Sequence, residues 1–300
     1  MDSTDPTTAP APAPELLKVM SVNLQHGGVR APTGRPQHRW PRIAADIGAA
    51  APDILVLQEC HGWRDHLHEQ LYRALNDLDM RVAGRLVHGR APFGGNLMLY
   101  RHQPGVLEQV GWSDAYEREH YNGLGIALFH VAGLPERLAV AGVHLTTVTP
   151  EAAATEAVWA ADRVLRYSDH AVVIGDLNSH PAHGDDGGTA PDPRDITKDL
   201  DRTCRWHADG SPNRTVAERL VGSGLYDAAA HLARRTGLTT HYAATGRGGV
   251  RVDRAHLSRL LLDRLLDYHR IPTASDHHAI AIALDLAAPI ASLPNPQSAR

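Results

Sequence analysis

The chain has 300 residues, which is enough for one large domain or two smaller ones with a hydrophobic core. Thirty Lys and Arg residues against 34 Asp and Glu residues give a formal net charge of −4, and 43% of the residues are hydrophobic. This composition excludes a disordered chain, a collagen, a disulfide-stapled mini-domain, and a protein that binds nucleic acid by bulk positive charge alone.

The two ends differ in composition from the rest of the chain. Residues 1–15 are rich in Pro, Ala and Thr and lack the apolar core of a secretory signal, and residues 289–300 are rich in Pro, Ser and Asn. No uncharged apolar run approaches the ~18 residues of a membrane span. Only two cysteines are present, which implies no disulfide framework and fits a reducing compartment. We predict a cytoplasmic protein with disordered tails at 1–15 and 289–300 and one domain over 16–288.

Within that domain, short apolar runs alternate with amphipathic stretches. The runs predict strands over 16–23, 53–59, 96–101, 123–131, 137–145, 171–178 and 278–284. Apolar residues at helical spacing predict helices over 39–50, 64–78 and 151–166. Mixed strands and helices with neighbouring strand pairs favour sheets that pack on each other with helices outside.

One segment, residues 179–224, breaks this alternation. It is dense in Pro, Gly, Asp and His, with a short helical stretch around 216–220. Long insertions of this kind in a compact domain are usually functional or disordered. Because the segment follows a strongly polar strand end, we interpret it as a loop that faces the substrate.

Several strands end in polar residues that a hydrophobic core does not need. They are Asn23, Glu59, His144, Asp176, Asn178, Asp253, Asp276 and His277. Any one of them alone has an ordinary explanation as a turn or capping residue. Together, carboxylate, amide and imidazole groups next to buried strands are typical of a divalent-metal hydrolase, and the predominance of oxygen favours Mg²⁺ or Mn²⁺ over zinc.

The order of these motifs resembles the endonuclease/exonuclease/phosphatase superfamily, the deoxyribonuclease I-like hydrolases. The motifs are VNLQHG, PDILVLQE, GNLMLY, GVHL, GDLN, RVDRAHLS and SDHH, and they extend over about residues 17–284. The resemblance implies an α/β fold, a four-layer α/β/β/α sandwich of two mixed β-sheets flanked by helices. It also implies an active site at one edge of the two sheets.

The resemblance implies a role for each matching residue. Glu59 corresponds to the metal carboxylate, helped by Asn23 and Asp276. His277 corresponds to the histidine that activates water, oriented by Asp253. The remaining matches are Asp176 and Asn178, which position the nucleophile and a phosphoryl oxygen, and His144, which stabilises transition-state charge or assists the leaving group. The implied cofactor is Mg²⁺, with Mn²⁺ as an alternative.

The sequence departs from the family pattern before the strand over 96–101. Some family nucleases carry an acid there that partners the equivalent of His144, whereas this chain has Gly94, Gly95 and Asn96. Either His144 is oriented differently or the protein lies nearer the phosphodiesterase and phosphatase branches. In the segment over 117–125, the candidates for phosphate contact are Arg118, Tyr121 and Asn122, with a plain surface loop as the alternative.

The other histidines have ordinary explanations as surface or core residues. His180 and His183 flank a proline in the insertion, where we expect a solvated loop rather than a second metal site. His26, close in sequence to Asn23, is the only other histidine that we associate with the site.

These observations predict a Mg²⁺- or Mn²⁺-dependent phosphoesterase, most simply a phosphodiesterase of nuclease type that uses a His-activated water. A second possibility is a phosphatase or phosphodiesterase that acts on a nucleotide, phospholipid or metabolite, which the missing acid and the acidic net charge favour. A non-catalytic binding module on the same fold is a third, which loss of site residues would indicate. The expected partner is a phosphoester substrate, either nucleic acid or a small phosphorylated molecule.

Overall fold

The structure is a computed structural model that describes residues 15–91, 95–188, 190–192 and 204–287. The predicted tails, apart from Glu15, lie outside these residues, as do Gly94 and part of the predicted insertion. The boundaries of the domain therefore stay a prediction. Within the described residues, no helix is both long and apolar enough to cross a bilayer.

Twelve strands are present in the described part of the chain. They are β1 (Leu16–Asn23), β2 (Ile54–Gln58), β3 (Arg81–Val82), β4 (Leu97–Tyr100), β5 (Leu107–Ser113), β6 (Gly125–Val131), β7 (Leu138–His144), β8 (His170–Asp176), β9 (Leu225–Asp227), β10 (Asp253–Ser258), β11 (Leu265–Ile271) and β12 (Ala279–Asp285). They form two six-stranded sheets, in the orders β11-β12-β1-β2-β4-β3 and β5-β6-β7-β8-β10-β9. Both sheets are mixed, because β1–β2 and β7–β8 are parallel pairs and the other pairs are antiparallel.

The α-helices that lie wholly within the described residues are α1 (Trp40–Ala50), α2 (Asp65–Leu78), α3 (Pro150–Tyr167), α4 (Thr215–Gly222), α5 (Ala228–Thr236) and α6 (Arg259–Leu262). Both α1 and α3 begin with proline in the first turn, where its missing N–H is not needed. Thr149 caps α3, accepting a hydrogen bond from the backbone of Ala152 at 3.1 Å. The helix predicted around 216–220 is confirmed as α4.

The strands are apolar on both faces because each sheet packs on two layers. In β2, Val56 faces the other sheet and contacts the cluster that contains Phe129 and Ile174, whereas Leu55 and Leu57 pack in the cluster that includes α1 and α2. Helices α3 and α4 cover the outer face of the second sheet. Burial on both faces produces continuous apolar runs rather than alternation. The predicted four-layer α/β/β/α sandwich is confirmed.

Five strands are absent from the predicted runs: the edge strands β3, β5, β9 and β11, and the central strand β10, which the sequence marked only by the motif RVDRAHLS. Most residues of the edge strands are exposed or only partly buried; in β11, for example, Leu266, His269 and Arg270 are exposed. An edge strand tolerates polar side chains and loses the apolar run that marks a central strand. The RVDRAHLS motif is β10, a central strand that is buried throughout.

Buried arginines attach the insertion to the second sheet. Arg251 donates to both carboxylate oxygens of Asp227, at 2.9 and 2.8 Å, and to the carbonyl oxygen of Asp185 at 2.7 Å. Arg254 donates to the carbonyl and hydroxyl oxygens of Ser179. A buried charge is costly unless it is paired. These pairs therefore hold the described start of the insertion against β9 and β10.

Candidate active site

Strand register brings the polar strand ends to one edge of the sandwich. The parallel pair β1–β2 aligns Asn23 with Gln58, and Glu59 follows directly. In the other sheet, Asp176 is aligned with both His144 on β7 and Asp253 on β10. Parallel strands end at the same edge of a sheet. Residues far apart in sequence therefore meet at this edge.

Asp176 lies at the centre of the cluster. Its Oδ2 accepts a hydrogen bond from Asn23 Nδ2 at 3.1 Å and lies 3.7 Å from His144 Nε2 and 3.8 Å from His277 Nδ1. Its Oδ1 accepts from the backbone N–H of Asn178 at 3.0 Å. Burial raises the pKa of this carboxyl group, but the charges of His277, His144 and Arg205 outweigh burial and lower it overall. Asp176 is therefore ionised and links the two sheets.

His277 and Asp253 form a buried pair beside Asp176. His277 Nδ1 lies 2.8 Å from Asp253 Oδ2, and the backbone N–H of Asp253 donates to Thr245 Oγ1 at 2.9 Å. Burial acts to lower the pKa of His277, but Asp253 and Asp176 outweigh burial and raise it to about 10. The carboxylate of Asp253 thus fixes the ring and favours its protonated form.

Three hydrogen bonds hold the chain at His144 and the two residues after it. Asn122 Nδ2 donates to the carbonyl oxygen of His144 at 3.0 Å, and Asn178 Nδ2 donates to that of Leu145 at 2.9 Å. The Oε2 of Glu156 on α3 accepts from the N–H of Thr146 at 2.8 Å. The segment that carries His144 is therefore fixed by three side chains from three other elements.

Among the described residues, the side chain of His144 lies within ion-pair distance of a carboxylate through its Nε2. Its Nε2 faces Asp176, whereas its buried Nδ1 has no hydrogen-bond partner among the residues that the structure describes. In the stretch Gly94, Gly95 and Asn96, which lacks the acid that some family nucleases carry, Asn96 donates to the carbonyl oxygen of Gly123 at 2.8 Å. The sequence departure in this stretch therefore coincides with a histidine whose Nδ1 has no hydrogen-bond partner among the described residues.

Glu59 lies beside two histidines at the end of β2. Its backbone is left-handed, with φ of 55°, and its Oε2 accepts from the N–H of His26 at 2.8 Å. Burial acts to raise the pKa of Glu59, but His144, the His26 amide and His61 outweigh burial and lower it. His26 Nδ1 lies 3.1 Å from His61 Nδ1. Burial also lowers the pKa of His61 to about 4, against the opposing charge of Glu59.

Metal-ligating atoms converge in two groups at this edge. In each group the ligand atoms lie within 4.8 Å of one another, and the groups are His26, Glu59 and His61, and Asp176, Asp253 and His277. Carboxylates and imidazoles so close together suit a divalent cation, whose charge offsets their mutual repulsion and the cost of burial. Both donor sets therefore fit a divalent cation, which the resemblance also implies.

Asp276, predicted as a metal ligand, belongs to neither group. Its Oδ2 forms an ion pair with Arg247 Nε at 2.7 Å. Asn23, the other predicted helper of Glu59, directs its amide nitrogen at Asp176 and its Oδ1 accepts from the backbone of Gln25. Of the three predicted metal residues, Glu59 is the one that lies in a group of metal-ligating atoms.

Arg205 reaches the site from the insertion and was not among the predicted residues. Its Nη2 lies 3.5 Å from Asn178 Oδ1 and its Nη1 donates to the carbonyl oxygen of Arg247 at 2.8 Å. The side chain is buried beside Asp176 and helps to lower the pKa of that residue. Arg205 follows a segment of irregular sequence, so no periodicity in the sequence indicates its position.

The three predicted phosphate-contacting residues differ in their environments. Arg118 is exposed. The backbone N–H of Tyr121 donates to Glu156 Oε1 at 2.7 Å, and Asn122 is buried against the carbonyl of His144. Asn122 therefore supports the backbone of a site residue. Direct contact of any of the three with a phosphate stays a prediction.

The prediction of a solvated loop is wrong for His180 and agrees with the structure for His183. His183 is exposed, but His180 is buried edge-to-face on Trp206 with ring centroids 4.6 Å apart. Burial lowers the pKa of His180 to about 3. An aromatic partner within the same insertion explains why this polar-looking segment buries a histidine.

Comparisons with known proteins decide the family. The family model described as the endonuclease/exonuclease/phosphatase family matches residues 20–277. The chain belongs to this family. No curated protein matches the chain closely enough to count as a relative.

Solved structures of the family share this fold at low sequence identity. An endonuclease/exonuclease/phosphatase from Beutenbergia cavernae DSM 12333 is 22% identical with a TM-score of 0.54, covering 91% of this chain and 72% of that one. A 3′-5′ exonuclease (NExo) from Neisseria meningitidis is 19% identical with a TM-score of 0.59, covering 90% and 100%. ANGEL2, a 2′,3′-cyclic phosphatase, is 16% identical with a TM-score of 0.60, covering 91% and 96%. Nuclease and phosphatase activities thus occur on one family fold.

Proposed function

We propose that this family member is a divalent-metal-dependent phosphodiesterase that cleaves its substrate by in-line attack of a water molecule. The observation that carries the proposal is Asp176, which lies within 3.8 Å of both His144 and His277 while Asp253 holds His277 at 2.8 Å. Two imidazoles on a shared carboxylate provide for proton transfer and for charge stabilisation within one small volume.

His277 is the proposed general base. With its Nδ1 proton directed at Asp253, Nε2 is the nitrogen that accepts a proton from the attacking water. The oxygen of that water forms the new bond to phosphorus, and the bond from phosphorus to the leaving oxygen breaks. A base must be neutral before the attack. The pKa of His277, which Asp253 and Asp176 raise, therefore has to fall when the negative charges of these two carboxylates are offset by a bound cation.

The site carboxylates are the proposed cation ligands. Glu59 and Asp176 belong to different sheets, and both lie at the same edge of the sandwich. When bound, a divalent cation supplies positive charge that offsets these carboxylates and stabilises the phosphoryl oxygens. Carboxylate oxygens suit Mg²⁺ or Mn²⁺.

His144, Asn178 and Arg205 are the proposed contacts to the transferred phosphoryl group. The three surround Asp176, and the guanidinium group of Arg205 carries hydrogen-bond donors beside it. Donors that are held in place before the reaction stabilise developing charge without reorganising. His144 is in position to donate a proton to the leaving oxygen.

A small phosphorylated substrate is the second candidate, and one observation favours it. His144 Nδ1 has no hydrogen-bond partner among the described residues, and the sequence lacks the acid that some nucleases carry in the stretch that here reads Gly94, Gly95 and Asn96. Salt dependence separates the two candidates. Binding of a polyanion weakens steeply as salt rises, whereas binding of a small ligand changes little.

The test is an activity screen of the purified full chain with Mg²⁺, with Mn²⁺ and with a chelator. Its substrates are DNA, RNA, mononucleotides, a chromogenic phosphodiester and phospholipid headgroups. We expect hydrolysis that requires the cation and stops in chelator. Absence of metal-dependent hydrolysis of every phosphoester would overturn the proposed function and leave a binding module as the remaining explanation.

A further inference from the structure

Two loops place His26, Glu59 and His61 around one point at the ends of β1 and β2. Their ligand atoms lie within 4.8 Å of one another. We propose that these three residues bind one transition-metal dication of the Zn²⁺ class and that Mg²⁺ binds them far more weakly. The inference deepens the proposed function, on which it depends for the catalytic place of Glu59.

The distance between the two rings fits ligation of one ion. The two Nδ1 atoms are 3.1 Å apart. Two nitrogens that each lie about 2.1 Å from a metal are separated by roughly 3.0 Å at a right angle and by roughly 3.4 Å at a tetrahedral angle. The same distance also permits an N–H···N hydrogen bond between neutral rings, and the experiment below distinguishes the two.

The donor set selects the class of ion. Mg²⁺ prefers oxygen ligands and keeps several waters, whereas imidazole nitrogen suits Zn²⁺ and other first-row transition metals. Two histidines and one glutamate give three protein ligands and leave a coordination position for water or substrate, the arrangement of catalytic zinc sites. The two histidines thus favour an ion of the Zn²⁺ class, which the carboxylates of the proposed site do not select by themselves.

Hydrogen bonds and close packing within the chain hold the two loops together. Glu59 Oε2 accepts from the N–H of His26, and Trp63 Nε1 donates to the carbonyl oxygen of Gly27 at 3.0 Å. A Cβ on Gly27 would lie 2.3 Å from the carbonyl oxygen of His61, so only glycine permits this approach. The hydrogen bond from Trp63 and the close approach at Gly27 both bring the loop of His26 onto the loop of His61.

Left-handed backbone at three non-glycine residues accompanies this packing. The φ angles of Gln25, His26 and Glu59 are 50°, 54° and 55°. Such conformations cost free energy and persist where the surrounding structure enforces them, commonly at functional sites. The chain therefore maintains an unfavourable backbone at the residues that present two of the three ligands.

The test measures metal affinity directly and needs no substrate. Untagged full-length protein, stripped with chelator and dialysed, is titrated with Zn²⁺ and with Mg²⁺ by calorimetry. The variants are His26→Ala and His61→Ala, with His130→Ala as a matched control at an exposed histidine on β6. If alanine at either site residue unfolds the chain, as circular dichroism would reveal, His26→Gln and His61→Gln fill similar space without an imidazole.

We expect one equivalent of Zn²⁺ to bind wild type on the order of 10²-fold more tightly than Mg²⁺. Each of His26→Ala and His61→Ala should lower Zn²⁺ affinity by at least about 10-fold, and His130→Ala should not change it. Equal Zn²⁺ affinity in wild type and both variants, as an N–H···N pair alone would give, would overturn the inference. So would wild-type Mg²⁺ affinity equal to that for Zn²⁺.

The inference and the proposed function fail in different ways. Hydrolysis supported by Mg²⁺ without a histidine-dependent Zn²⁺ site overturns the inference and keeps the proposed function. A Zn²⁺ site that needs both histidines, in a protein that hydrolyses no phosphoester with any cation, supports the inference as a binding site and overturns the proposed function.

Discussion

Asp176 illustrates how a single side chain gains its properties from partners far away in the sequence. A buried carboxylate is costly unless hydrogen bonds or positive charges compensate it. Asn23, from the other sheet, and the backbone of Asn178 donate to it, and two histidines lie within 3.8 Å. Its lowered pKa keeps a negative charge where the proposed reaction needs one to orient both imidazoles.

Replacement of Asp253 should change the titration of His277. Asp253→Asn removes the charge that raises the pKa of that ring, so the pKa should fall from about 10 by about 1–3 units in metal-free protein. NMR of the imidazole resonances measures this shift. The kcat should also fall by about 10²–10⁴-fold, because the neutral amide of asparagine cannot hold His277, the proposed base, as an ionised carboxylate does.

The exposed Asp263→Asn is the control for this variant. It should leave the titration of His277 and the kcat unchanged. An unaltered pKa of His277 in Asp253→Asn would show that Asp253 does not set the protonation state of the ring.

Sequence reasoning found polar residues at or near strand ends, and His144, Asp253 and His277 around Asp176 are among them. It did not assign His61, although this residue lies only two positions after Glu59 in QECHGW. The reason is that its approach to His26 depends on loop packing through Gly27 and Trp63. It also missed Arg205, whose position depends on the path of the insertion.

At the scale of elements, helix α3 supports the site through a buried acid. Glu156 accepts from the N–H of Tyr121 with one oxygen and from the N–H of Thr146 with the other, at 2.7 and 2.8 Å. The helix thus ties the end of β7, with His144, to the segment that precedes β6. An outer-layer element in this way determines the geometry of an edge formed by the two inner sheets.

Glu156→Gln should loosen this connection. A glutamine has one acceptor oxygen, so its NH₂ group would face one of the two N–H donors and leave it unpaired. We expect a loss of about 1–3 kcal/mol in the free energy of unfolding. Because His144 is displaced, kcat should fall while KM changes less. Urea unfolding and steady-state kinetics measure both effects.

Glu151→Gln, at an exposed position of the same helix, is the matched control and should alter stability by no more than about 0.5 kcal/mol. Wild-type stability and kcat in Glu156→Gln would contradict the supporting role of α3.

Burial separates most of the strands that sequence reasoning found from those it missed, with the buried strand β10 as the exception. Central strands such as β2 and β8 are apolar along their length because both faces are covered, and their runs are plain in the sequence. The four edge strands mix polar and apolar residues because one side faces solvent. Helix α5 has Asp227 as its N-cap and Gly237 just after its last residue. Both residues are helix-boundary signals in the sequence that the prediction did not use.

At the scale of the whole molecule, the sandwich buries several histidines in a neutral state. Burial lowers the pKa of His256 and His180 to about 3 and that of His61 to about 4. In an unfolded chain each would titrate near about 6.5. Below that pH the unfolded chain gains protons that the folded chain does not, so acidification favours unfolding.

His256 offers the cleanest test of this effect. Neither of its ring nitrogens has a hydrogen-bond partner among the described residues. As the pH falls from 7 to 5, His256 should account for about 2 kcal/mol of the decrease in the free energy of unfolding. The reason is that its pKa lies below this pH range in the folded chain and within it in the unfolded chain. In His256→Leu that loss should be about 2 kcal/mol smaller than in wild type, as urea unfolding at the two pH values measures.

The exposed His130→Leu serves as the control and should show the wild-type loss between the two pH values. An equal loss in His256→Leu and wild type would mean that the buried ring does not contribute to acid sensitivity.

The central claim is that Asp176 and His277 carry a metal-dependent phosphoester hydrolysis. Its most direct test compares kcat of wild type, Asp176→Asn and His277→Ala on a phosphodiester that wild type hydrolyses, with the folded state of each verified by circular dichroism. We predict that each variant stays folded and loses at least about 10²-fold in kcat. Wild-type rates in either folded variant would contradict the claim and remove that residue from the mechanism.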